Sequence, residues 1–150
     1  MIHGDAAFQV IGEWRDDPPL TGALIIPVDS EDRVLLQLRD YNTTRYPGQW
    51  GFFGGKVEEG ETLIGAAIRE FEEEAGISLP PAGLTPRFRM SSPEVQSNLY
   101  VFEASVRFGP ADVRLGEGAG FAFVAAKDFA RFDLALVTKM ILEEWVKGRT

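Results

Sequence analysis

The segment GGKVEEGETLIGAAIREFEEEAGI, residues 54–77, sets a pair of glycines just ahead of a stretch crowded with acids. Leu63, Ala67, Phe71 and Ala75 recur at every fourth position. This spacing predicts a helix over 62–75 with a buried stripe, stopped by Gly76 in a left-handed conformation. Glu70, Glu72, Glu73 and Glu74 fall in its second half. Glu70, Glu73 and Glu74 then share one face, because residues three and four apart on a helix are neighbours. Glu72 points elsewhere. Like charges at this spacing destabilise a helix by roughly 0.2–0.5 kcal/mol per pair, and the C-terminal half is the wrong end of the dipole for acids.

Two readings answer this conflict. One is a solvated acidic face. The other is a divalent-cation site, which would turn the repulsion into affinity. Arg69 stands four residues before Glu73, placed to sit near it. Gly54 and Gly55 let the backbone approach a ligand closely. An all-oxygen donor set suits Mg²⁺, with Mn²⁺ as a substitute, and Mg²⁺ commonly binds one or two carboxylates plus substrate phosphates.

The rest of the chain frames this stretch. Its 150 residues suit a single domain over 1–150. A 45% hydrophobic and 25% charged composition is that of a soluble globular protein. With no cysteine, disulfides and thiolate metal sites are excluded, and a cytoplasmic location is expected. The opening MIHGDAAFQVIGEW has no basic flank followed by an apolar run, so no secretory signal is expected. No apolar run approaches the roughly 20 residues that span a bilayer. A formal charge of −8 argues against nucleic acid and anionic membranes as partners. It fits cation binding, and equally plain solubility. A homodimer is left open. The lone histidine, His3, lies near a terminus and is read as incidental.

Strands are expected over about 23–28, in RVLLQLRDY with Val34, Leu36 and Leu38 on one face, and in FFGG, NLYVFEASV and GFAFVAA. NTTRYPGQWG reads as a loop and PPAGLTP as a connector. DLALVTKMILEEWVK predicts a C-terminal helix with Leu134, Val137, Ile141 and Trp145 on one side. The fold class is α/β of the α+β kind, a mixed sheet sandwiched between helices.

Residues 55–77 resemble the Nudix box, the signature of Nudix hydrolases. Gly55, Glu61, Arg69, Glu70, Phe71, Glu73, Glu74, Gly76 and Ile77 fill its fixed positions. Phe53 stands where many members carry proline before the paired glycines. The resemblance implies a MutT-like pyrophosphohydrolase that uses divalent metal and water to cleave a nucleoside diphosphate linked to another moiety. That class spans nucleoside triphosphates, nucleotide sugars, ADP-ribose and dinucleotides. A Nudix-like domain that senses a nucleotide without cleaving it is the alternative; such a domain would be expected to lack one or more box glutamates.

By motif position the resemblance makes Glu70, Glu73 and Glu74 metal ligands, with the Gly54 carbonyl a further one. It has Arg69 orient the glutamates. Glu61 either pairs with Arg69 or stands behind the metal ligands, or else supplies a favourable charge at the helix N-terminus. The general base is a box glutamate, such as Glu70, or an acid from a later loop. Glu117 in RLGEGAGF is such an acid, on a segment that could close over the site; otherwise it is a turn residue. Tyr46, Trp50, Phe52 and Phe53 are either a face for a base or core. Arg39 is either a phosphate contact or a surface ion pair. Pro93, 16 residues past Ile77, resembles the spacing of ADP-ribose-type members, although Glu94 replaces their usual glycine.

Overall fold

The computed structural model describes residues 5–94 and 96–149, so His3 lies outside the described residues. Its centre is a mixed eight-stranded sheet. The strands are β1 Gln9–Val10, β2 Leu20–Val28, β3 Arg33–Leu38, β4 Trp50–Gly51, β5 Phe53–Lys56, β6 Leu84–Ser91, β7 Ser97–Ser105 and β8 Gly120–Ala125. Helices α1 Leu63–Ala75 and α2 Leu136–Lys147 complete the fold.

β2 runs parallel to β7 along its whole length, from Leu20↔Ser97 to Val28↔Ser105. β6 pairs antiparallel with β7, and β1 runs parallel to β6. The other edge of β2 is shared: its first half pairs with β5, and its end meets β3 at Val28↔Val34. β3 is flanked by β8 along one edge and by β4 at its far end on the other. Residues 50–56 thus pass from β3 to β2 and deliver Gly54 and Gly55 where the two strands diverge.

The inner strands are buried on both faces, which is why β2 reads as a nearly continuous apolar run. Ala23, Ile25, Leu35, Phe53 and Phe102 pack with Ala66, Ala67, Phe71 and Ala75 of α1. Ile26, Val28, Val34, Leu36 and Val101 pack with Val137, Ile141, Leu142 and Trp145 of α2. Alternation along each strand sends neighbours to opposite sides, so one sheet carries two cores.

α1 begins where its sequence says it should. Thr62 caps it, its hydroxyl accepting the Gly65 N–H at 3.0 Å. Gly76 ends it with φ 74°. Three expectations need correction. β6 starts inside the expected connector, at Leu84; Pro86 lies where the register with β7 shifts, so its missing N–H is tolerated there. Trp50 and Gly51 form a short strand in the expected loop. Leu134 packs on the α2 core from outside the helix, bridging to Trp50, and α2 starts at Leu136.

Candidate active site

Glu70 and Glu74 project from successive turns of α1, and Glu117 meets them from the segment before β8. One carboxylate oxygen from each lies within 4.8 Å of the other two. Glu74 is only 5% exposed. Burial pushes its carboxyl up to about 8; Glu117 and Glu70 add to the rise, while the Gly54 N–H, donating at 2.8 Å, opposes it. Burial also raises Glu70, opposed by Arg69.

The paired glycines make room for these acids. A Cβ on Gly55 would stand 2.6–2.8 Å from the Glu70 carboxylate, and one on Gly54 would stand 2.3 Å from the Ala23 carbonyl. A larger residue at Gly54, where φ is 147°, would collide with backbone, and one at Gly55 would displace the Glu70 carboxylate. A cradle walled by carboxylates and backbone, with no sulfur or imidazole, is chemically suited to a hard divalent cation.

Arg69 ties this floor together. It grips Glu61 with Nε at 2.7 Å and Nη2 at 2.9 Å, and Nη2 also donates to the Lys56 carbonyl at 3.1 Å. Nη1 donates to Glu70 at 3.0 Å and to Glu73 at 3.3 Å. The Arg69 pairing, with the Glu58 N–H, pulls the Glu61 carboxyl down to about 2. Glu61 is thus the partner of Arg69. Glu73 is exposed and turned to Arg69, outside the cluster that Glu70, Glu74 and Glu117 form.

A cleft of about 370 Å³ opens over the acids. Arg39, Arg45 and Lys56 line it along with Glu70, Glu74, Glu117 and Gly54. Leu24, Phe52, Leu99 and Val137 form an apolar portion of its wall, and Tyr46 lines it too. The Tyr46 hydroxyl donates to Glu94 at 2.7 Å; burial and that carboxylate raise it to about 12. Two expected contacts are not part of the lining. Phe53 is fully buried, its ring edge-on to Phe71 under α1. Trp50 packs edge-on to Phe132. Phe52, the neighbour of Phe53, reaches the cleft beside Tyr46. Arg45 and Lys56 were missed, although Lys56 directly follows the paired glycines. Pro93 is exposed beside Glu94.

The segment that carries Glu117 is hydrogen-bonded on both sides of it. Arg114 and Gly116 donate N–H groups to the carbonyls of Ala75 and Glu74 at the end of α1, at 2.9 and 3.0 Å. Ala119 donates to the Leu38 carbonyl at 2.8 Å, and Gly118 to the Asp40 carboxylate at 3.3 Å. The segment thus bridges the end of α1 and the end of β3.

A mixed sheet between helices, with an acid cradle opposite a glycine turn, is an arrangement shared with Nudix-fold proteins. The chain belongs to the Nudix hydrolases, enzymes of pyrophosphate bonds: the NUDIX domain family matches residues 18–143. It is 31% identical over 119 residues to the nucleoside triphosphatase NudI of Salmonella arizonae, covering 73% of this chain and 84% of that one. It matches Nudix hydrolase 3 of Arabidopsis thaliana at 41% over 54 residues, 35% of this chain, and spans only 7% of that protein's length. Among solved structures, the MutT Nudix hydrolase of Burkholderia pseudomallei has a TM-score of 0.70 at 27% identity, over 83% of this chain and 95% of that one. The Nudix domain of Shewanella oneidensis NrtR, solved with ADP ribose, has a TM-score of 0.72 at 16% identity, over 99% and 94%. At that identity the likeness is one of fold. No helix among the described residues is long and apolar enough to cross a membrane.

Proposed function

We propose that this chain hydrolyses a phosphoric anhydride bond of a nucleoside triphosphate, using a divalent cation such as Mg²⁺ or Mn²⁺ held by Glu70, Glu74 and Glu117, with the Gly54 carbonyl beside them. The observation that carries the reading is the convergence of these three carboxylates within 4.8 Å in a cleft that also presents Arg39, Arg45 and Lys56. Acids alone would repel a polyphosphate; three cations on the same cleft offset that and give its phosphates partners. The NudI likeness, covering most of both chains, supports a nucleoside triphosphate over the larger members of the class.

A bound cation neutralises phosphate oxygens and makes a coordinated water more acidic. The protein's own groups do the rest. Arg69 holds Glu70 in place while its other arm stays on Glu61. The Gly54 N–H fixes Glu74. Arg39 and Arg45 meet the phosphate chain, and Leu24, Phe52 and Leu99 give a base an apolar wall. Glu117 would also serve as the base, through the carboxylate oxygen not turned to the cation: Arg69 and Gly54 already donate to oxygens of Glu70 and Glu74, whereas among the described residues no hydrogen-bond donor engages the Glu117 carboxylate.

The test is a panel of nucleoside triphosphates, ADP-ribose, nucleotide sugars and dinucleoside polyphosphates incubated with Mg²⁺ or Mn²⁺, with products separated by chromatography. Release of a nucleoside monophosphate or diphosphate from a triphosphate supports the reading. Turnover confined to the other classes overturns the substrate, and no turnover at all overturns the activity.

A further inference from the structure

We propose that Gln37 is a positioning residue that fixes Glu117 over the acid cradle, an inference that rests on the role of Glu117 proposed above. Gln37 is 2% exposed and lies near the end of β3, a strand otherwise buried through Val34, Leu35 and Leu36. Burying an amide is unfavourable unless it is hydrogen-bonded, and an apolar side chain would meet the packing need as well. Its Nε2 donates to the Glu117 carbonyl at 2.9 Å, across 80 residues of sequence.

The fit around this bond is close. Gly118 has φ 98°, and a Cβ there would stand 2.8 Å from the Gln37 Nε2 and 3.0 Å from its Cγ. The amide therefore rests directly on the backbone that follows Glu117, at a position where only glycine is accommodated. Gly116 on one side is tied to α1 and Ala119 on the other to β3. Gln37 holds the residue between these anchors, by its main chain, which leaves the carboxylate turned to Glu70 and Glu74. Groups that orient a metal-binding residue typically contribute about 10–100-fold to metal affinity, and a main-chain anchor belongs near the lower limit.

The experiment measures the Mn²⁺ dissociation constant, without substrate, for the wild type, Gln37→Met, Glu117→Gln and the double variant. Circular dichroism confirms folding, and Gln37→Asn, with its amide one methylene short, stands in if Gln37→Met does not fold. The expected result is binding about ten-fold weaker for the Gln37 variant, weaker binding for Glu117→Gln, and no further loss in the double variant. Wild-type affinity in the Gln37 variant, beside weakened Glu117→Gln, overturns the inference alone. So does an equal loss from the Gln37 change on both backgrounds, which marks a merely structural role. Unchanged affinity in Glu117→Gln overturns the placement of Glu117 at the metal, and the inference with it.

Discussion

The carboxylate of Glu74, sealed beneath the cleft, accepts the main-chain N–H of Gly54 at 2.8 Å. One hydrogen bond does not offset the burial, so the folded chain without metal holds a proton there up to about pH 8. The unfolded chain releases it near the ordinary glutamate value. Between those two values the folded state binds more protons, so stability falls as pH rises. Metal-free protein in EDTA is therefore expected to melt higher at pH 5 than at pH 8. Glu74→Gln keeps the acceptor and removes the charge. It should flatten the profile and raise the pH 8 melting temperature, by on the order of 5 °C. A wild-type melting temperature that climbs from pH 5 to pH 8 would contradict this.

Activity should vanish on removal of divalent metal and return with Mg²⁺ or Mn²⁺. The same ions should raise the melting temperature, since they bind the folded chain and its gathered carboxylates. Full turnover after exhaustive chelation, with metal loss verified by elemental analysis, rules out the metal requirement.

Arg69→Lys should not substitute for arginine. A single ammonium cannot hold both oxygens of Glu61 and also reach Glu70 and the Lys56 carbonyl. We expect turnover to drop by about 10–100-fold, with weaker Mn²⁺ binding as the accompanying change. Near wild-type values for both quantities would show the arginine network to be dispensable.

Phe52 and Phe53 should separate cleanly. Phe53→Ala empties a fully buried site against Phe71 and should cost about 3–5 kcal/mol of stability. Phe52→Leu alters the cleft wall and should raise KM for the nucleotide several-fold with little loss of kcat, because it touches no group proposed to act on the reacting bond. Urea unfolding and steady-state kinetics on these two variants and on Phe53→Leu check the contrast; a KM effect larger in Phe53→Leu than in Phe52→Leu would reverse the assignment.

The two phenylalanines also show what a linear chain can and cannot disclose. α1 was legible because its period, Thr62 and Gly76 all act within a few residues. The acids Glu70 and Glu74 followed from the same period. Glu73 shares their face on a helical wheel, yet whether it meets them depends on Arg69, which draws it outward, and on a bridge from residues 114–119 that supplies Glu117 instead. That choice is tertiary. So is the side to which Phe52 or Phe53 turns, which the crossing of residues 50–56 between two strands decides. β6 was hidden for a local reason: Pro86, Arg87 and Arg89 dilute its apolar signal, although Arg87 pairs with Glu103 and Arg89 with Asp5.

The two cores on opposite faces of the sheet imply a division of labour. Glu70 and Glu74 stand on a helix rooted in one core, while Phe52, Leu24, Leu99 and Val137 belong to the other. Repacking the second core should therefore reshape the apolar wall of the cleft while leaving in place the helix that carries Glu70 and Glu74, so that the proposed selectivity and the acid cradle can drift independently on one sheet.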